Sequence, residues 1–196
     1  MPIIEKNCLT SSVVTRCLFN HTDGQGYPGI DGESTTDFSN DTKNINVTVD
    51  NLSAFSIYDC SARSINDAGT SNWSSPIRIM TEEDVPSLPQ NFRIASMDNS
   101  TRLKLAWDKP KYIPGIFKGY SISLVWYPRY PTPDVCNKSD RKIIIDDIAT
   151  NVNQYTFGDL KESLYLAKIA AKTGAGFGRE DSIIYYTPDS GGRYIF

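Results

Sequence analysis

Residues 118–127, KGYSISLVWY, set Tyr120, Ile122, Leu124 and Trp126 on one side of the chain and smaller or more polar residues between them. A period of two sends successive side chains to opposite faces, which predicts a strand with one face buried. The same alternation recurs in FRIAS (92–96) and RLKLAW (102–107), and RKIIID (141–146), QYTFGDL (154–160), YLAKIAAK (165–172) and SIIYY (182–186) complete seven strands. No long stretch repeats its apolar residues at helical spacing. Seven short strands separated by polar turns over roughly a hundred residues predict an all-β fold of two facing sheets.

The pattern is used twice. Residues 46–64, NVTVDNLSAFSIYDCSARS, lie 108 positions before residues 154–172, QYTFGDLKESLYLAKIAAK. At that offset Thr48 falls on Thr156, Leu52 on Leu160 and Ala62 on Ala170, and both stretches read as strand, corner, strand. Repetition at this distance predicts two domains of similar build and is too long for a solenoid. The acidic, proline-bearing segment TEEDVPSLPQNF (81–92) divides them, because Pro86 and Pro89 stiffen a linker and suit the entry to an edge strand. The expected organisation is a domain at 1–84, a domain at 85–190 and a tail at 191–196.

Composition narrows the function classes. The chain has 196 residues, 39% hydrophobic and 22% charged, with a net charge of −3 and no Lys/Arg run. A core is available, and a nucleic-acid partner is disfavoured for want of a basic face. No apolar run approaches the ~18 residues of a membrane helix. The opening MPIIEKNCL lacks the layout of a secretion signal. Yet N-x-S/T triplets occur at Asn20, Asn40, Asn46, Asn51, Asn72, Asn99 and Asn137. Chance would give roughly two or three, so N-linked glycans are expected on a fragment of a secreted or surface protein. Clustering of Asn, Ser and Thr in loops is the plainer alternative.

Catalytic and metal chemistry lack parts. His21, beside a sequon in FNHTDG, is the only histidine, and Cys8, Cys17, Cys60 and Cys136 contain no C-x-x-C. A Ser-His-Asp or Cys-His set would have to use His21, a loop histidine beside a sequon whose ordinary place is in solvent, and most zinc sites are removed. GQGYPG has no following lysine, and the glycines of TGAGFGRED lie between two strands, where a hairpin is the natural reading. Asp23 and Asp31 fit no calcium loop. No enzyme activity, cofactor or metal is expected.

VPSLPQNF, the tryptophan–proline strand LAWDKP, FKGYSISL and the corner leucine Leu160 together resemble the fibronectin type III domains over nearly all of residues 85–187. The resemblance implies an immunoglobulin-like β-sandwich with Trp107, Tyr120 and Leu160 in its core. LSAFSIYDCSARSINDAGTSNWSSPIRI, with Leu52 and Tyr58 six apart, matches the end of such a domain. That spacing is the one of a tyrosine corner, whose hydroxyl bonds back to the backbone. At the matching place in the second half stands Leu166, with Tyr165 beside it.

The start of the first half departs from the pattern, since Trp107 carried back by 108 residues falls before Met1. Either its first two strands are absent, or its middle is short. In the second case VVTRCLF is the second strand, Phe19 replaces the tryptophan, and residues 21–43 form a glycine-rich loop. The first half is therefore expected to be atypical or N-terminally incomplete.

Cys60 lies two residues beyond the corner tyrosine, pointing inward. Cys17 on a second strand would bridge the sheets to it, as in immunoglobulin domains, and on a third strand would make a cross-strand bridge. Cys8–Cys17 is the rival, because CLTSSVVTRCLF is similar to the opening of cytokine-receptor domains. A bridge would contribute about 2–4 kcal/mol. Cys136 is free or paired outside the fragment.

TSNWS (70–74) differs by one residue from the W-S-x-W-S signature of class I cytokine receptors, with Thr70 in place of the first tryptophan. The resemblance implies an indole stacked between arginines. Arg63 faces outward by alternation, and Arg63 with Arg78 is the expected pair. Trp73 is thus read as a structural clamp before the last strand, compatible with sugar on Asn72.

The whole resembles the ectodomains of receptor-type tyrosine phosphatases and neural adhesion receptors. That implies an extracellular binding and spacing module with a protein ligand or co-receptor, reaching the membrane only through a segment outside this sequence. The alternatives are a cytokine-receptor-like module, an intracellular scaffold, and a sugar-binding accessory domain using Trp126, Tyr127 and Tyr130.

Overall fold

The computed structural model describes residues 12–37, 46–96, 101–128, 142–161 and 163–187. They fall into two compact units, Met1–Glu82 and Glu83–Phe196, and every regular element among the described residues is a strand.

The first unit contains β1 (Ser12–Thr22), β2 (Gly32–Asp37), β3 (Ser56–Asn66), β4 (Gly69–Thr70) and β5 (Ile77–Met80). They make one antiparallel sheet in the order β2-β1-β3-β4, with β5 also on β3. VVTRCLF lies in β1 and pairs directly with β3, Cys17 opposite Cys60. A second strand would sit in the opposing sheet, so the segment holds the third-strand place instead. The stretch expected to be a glycine-rich loop contributes β2. GESTTD has no apolar residue to betray it, yet its backbone completes the ladder beside β1. Residues 46–50, expected as a strand, alternate in exposure but join no ladder. Alternation reports which side chains are covered, while a strand also needs a neighbour to bond with.

Tyr58 on β3 is fully buried, and its hydroxyl accepts the Ser53 N–H at 2.7 Å. Asn51 and Phe55 turn the corner with φ of 63° and 52°. Thr81 locks it from the other side, its hydroxyl donating to the Ser53 carbonyl at 2.7 Å and accepting the Ser56 N–H at 2.9 Å.

The second unit contains β6 (Gln90–Ser96), β7 (Leu103–Asp108), β8 (Gly119–Pro128), β9 (Lys142–Ile148), β10 (Gln154–Phe157), β11 (Ser163–Thr173), β12 (Gly176–Phe177) and β13 (Asp181–Tyr186). One sheet runs β10-β7-β6 and the other β12-β11-β8-β9, with β13 also on β11. The core is the space between them. Leu103, Leu105 and Trp107 face it from β7, Tyr120, Ile122 and Leu124 from β8, and Tyr165, Ala167 and Ile169 from β11. Trp107 and Tyr120 meet edge to face at 5.4 Å, and burial pushes the Tyr120 phenol above its ordinary range.

The linker is tied along this unit. The Glu83 carboxylate accepts the N–H groups of Gly174 and Ile116 at 2.8 and 3.1 Å, and the Thr173 hydroxyl donates to the Asp84 carbonyl at 2.8 Å. A Cβ on Gly174 would lie 2.4 Å from the Glu83 oxygen, so a larger residue there would displace the carboxylate from this contact. The TGAGFG glycines thus serve a hairpin and its docking strap.

The second unit also has a tyrosine corner, at Tyr165 and not at Leu166. Its hydroxyl donates to the Lys161 carbonyl and accepts the Lys161 N–H, both at 2.9 Å. Tyr58 and Tyr165 are 107 residues apart. The link after Leu160 is one residue shorter than that after Leu52, so beyond the corner Ala62 is level with Ile169, not Ala170. Tyr58→Phe should lower stability by about 1 kcal/mol, the net contribution of one such bond, and Tyr165→Phe, which loses two, by about 1–2 kcal/mol. Urea denaturation of each variant measures this, and an unchanged midpoint for Tyr58→Phe would deny the corner a stabilising role.

Candidate functional site

The serines around Trp73 have a structural reason. Ser71 donates its N–H to the Ser64 carbonyl at 2.9 Å, and its hydroxyl accepts the Ser64 N–H at 3.0 Å. Ser74 repeats the arrangement on Ala62, at 2.8 and 3.1 Å. Each serine therefore satisfies both backbone groups of one β3 residue, standing in for a strand between β4 and β5. Asn72 and Trp73, between the two staples, are free to bulge.

Trp73 lies over the outer face of the first sheet. The guanidinium carbons of Arg16 and Arg63 lie 4.1 and 4.5 Å from its ring centroid. The Nε atoms of both arginines are buried without a hydrogen-bond acceptor, so the electron-rich ring face is the contact that covers them. Each such contact contributes about 0.5–1 kcal/mol, more where water is excluded. Arg78, the expected second flank, pairs instead with Asp59 at 2.9 Å. Its strand is exposed, and the carboxylate is its direct neighbour across the ladder. Arg16 was legible only through parity: it adjoins inward Cys17, hence shares the outward face of Arg63, but that inference needs the β1–β3 register.

Beside the clamp, Asp59 also accepts from the Asn20 side chain at 2.8 Å, and Asn20 Oδ1 lies 2.7 Å from His21 Nδ1. Hydrogen bonds from Arg78 first, then Asn20, hold the Asp59 carboxyl below the usual range. His21 is exposed, and no group of three metal-ligating residues occurs among the described residues.

Cys17 and Cys60 are joined by a disulfide. It is a cross-strand bridge within one sheet, not one between sheets, because β1 and β3 are direct neighbours. Cys8 is therefore not the partner of Cys17; Cys8 and Cys136 lie outside the described residues. Asn20, Asn46, Asn51 and Asn72 are all exposed; Asn40, Asn99 and Asn137 lie outside the described residues.

Leu52 is half-buried and, with Val47, Val49, Ala62, Ile77 and Ile79, lines an apolar cleft of about 340 Å³ on the inner face of the first sheet. In the second unit a smaller groove of about 260 Å³ crosses the outer face of the sheet, lined by Ser123, Lys142, Asp146, Lys168, Phe177 and Glu180. Lys168 and Glu180 pair across it at 2.7 Å. Trp126 packs on the core rather than facing outward with Tyr127, and Tyr130 lies outside the described residues, so the aromatic run does not make one sugar platform.

The family model described as "Fibronectin type III domain" matches residues 87–187, from just after Pro86 through β13. The chain belongs to the fibronectin type III family. Tyrosine-protein phosphatase Lar of Drosophila melanogaster is 28% identical over 132 residues, 67% of this chain and 6% of that protein. Protein sidekick-2 of Mus musculus is 30% identical over 129 residues, 65% of this chain and 6% of that protein. Cell adhesion molecule DSCAML1 of Homo sapiens is 30% identical over 142 residues, 70% of this chain and 6% of that protein. The chain thus spans about 6% of the length of these relatives. No described helix is long and apolar enough to cross a membrane.

Proposed function

We propose that the chain is an extracellular recognition and spacing segment of a cell-surface receptor, built of two fibronectin type III domains in tandem at 1–84 and 85–190, with a tail at 191–196. The observation that carries this reading is the similarity to adhesion molecules and to the Lar phosphatase over about two thirds of the chain, together with described residues that offer contact surfaces. The Cys17–Cys60 bridge supports an oxidising compartment, where such bonds persist. The exposure of all four described sequon asparagines supports glycan attachment. The partner is a protein ligand or co-receptor. Any phosphatase activity of a parent protein resides outside these residues.

Secretion of the chain from a eukaryotic host behind a heterologous leader tests the reading. Treatment with peptide N-glycosidase should lower its mass by several glycans and convert the modified asparagines to aspartate, visible by peptide mass spectrometry. A secreted chain bare of sugar at all seven positions would overturn the surface assignment.

A further inference from the structure

Among the described residues, β9 has β8 as its only strand neighbour and so forms the edge of its sheet. Its sequence is KIIIDDI, an apolar edge of a kind that natural sheets rarely leave open. Ile143 and Ile144 are 40% and 50% exposed, and Lys142 and Asp146 are exposed on either side. Ile144 stands opposite Ser123 and Lys142 opposite Val125. Lys142 and Ile144 therefore share the outer face, and Asp146, at the bulge between Ile145 and Ile148, is held on that face by the Ser121 hydroxyl, while Ile145 packs on the core.

We propose that β9 is a homotypic contact, pairing antiparallel with β9 of a second copy of this chain about a two-fold axis through Ile144. The argument rests on register. A two-fold axis normal to a sheet keeps each face on its own side, so residues pair only with others of the same parity. Centred on Ile144, Lys142 falls opposite Asp146 twice, Ile143 opposite Ile145 twice, and Ile144 opposite itself. Centred on Ile145, Ile144 meets Asp146 and Ile143 meets Asp147. Centred on Ile143, Lys142 meets Ile144. One register alone matches charge with opposite charge and apolar with apolar, and cross-strand pairs are the unit of sheet stabilisation. The Ser121 hydroxyl bonds Asp146 Oδ1 and holds it on the outer face, leaving Oδ2 for the lysine of the second copy. The charges that would discourage indiscriminate edge pairing thereby select a particular partner. Two short edges bury far less than the ~1,600 Å² of a standard interface, so the dimer is weak and forms where chains are concentrated.

The inference is independent of location and glycans, so its failure leaves the receptor reading standing. Sedimentation velocity of the full chain over a concentration series should show a reversible monomer–dimer equilibrium. Lys142→Asp and Asp146→Lys should each weaken it about tenfold or more, because each sets like charges opposite one another at both ends. An equimolar mixture of the two variants should dimerise again, since every pair across that interface is then complementary, and the double variant should dimerise alone. A chain that stays monomeric throughout, single variants that associate like the parent, or a mixture that fails to recover would each overturn the proposal. The first outcome requires no variant, so a folding defect in one does not protect the idea.

Discussion

Trp107→Ala should lower the stability of the Glu83–Phe196 unit by about 3–5 kcal/mol, the cost of replacing a buried aromatic with a methyl group. Trp107 is fully buried between the two sheets, and it is the largest side chain there. Its removal withdraws the edge contact with Tyr120, which itself rests on Phe117 at 5.2 Å, so the loss extends along an aromatic row. The sheet ladder through β7 survives, because it is made by backbone: the Trp107 N–H still donates to the Asn153 carbonyl at 3.0 Å. The effect is therefore one of cavity and lost packing, and Trp107→Phe should recover part of it. Domains of this size are stable by only about 5–15 kcal/mol, so the alanine variant leaves a marginal sandwich. Urea unfolding followed by far-ultraviolet circular dichroism on the isolated change and its phenylalanine counterpart measures both. A loss below about 1 kcal/mol would mean that the core collapses onto the vacancy and is not organised around the indole.

The second sandwich was legible in the sequence because its central strands β7, β8 and β11 carry apolar residues at a period of two between polar turns. Burial on one face leaves that mark wherever an opposing sheet exists. The first unit was harder to read for the same physical reason. β2 buries nothing large, so GESTTD gives no alternation to detect. Residues 46–50 do alternate but lack a neighbouring strand, and alternation alone was misleading there. The corner at Tyr165 escaped through a single-residue shortening of a link, which shifts every later alignment by one and exchanges an inward residue for an outward one. The Trp73 clamp was half legible. The motif names the ring, and parity names Arg63, but Arg16 comes from a different strand whose register the local sequence does not specify. Parity also admits Arg78, and only the placement of Asp59 beside it diverts that side chain. Pairings between strands forty residues apart depend on register, which no local pattern writes, and even a local pattern fails where a link changes length by one residue.

Loss of the Cys17–Cys60 bridge should be the other large effect, confined to the Met1–Glu82 unit. The two cysteines are 43 residues apart in sequence, and constraining a loop of that length removes unfolded-state entropy equivalent to about 4 kcal/mol on the chain-entropy account. The inner face of this unit's sheet is partly open, with Ile77 and Ile79 69% and 38% exposed, so those side chains give back much of the stabilisation that full burial would bring. The bridge also joins β1 to β3 at the centre of their ladder, the pairing on which both the Trp73 clamp and the Tyr58 corner are mounted. A Cys17→Ser/Cys60→Ser variant should therefore lose amide protection first along β1 and β3 and next in residues 71–75, whose serines are stapled to β3, while β7, β8 and β11 keep theirs. Hydrogen exchange read by mass spectrometry separates the units directly. Equal protection of β1 and β3 in the bridged and serine forms would show that the ladder is held by its own hydrogen bonds and side chains, and that the disulfide is incidental to the fold.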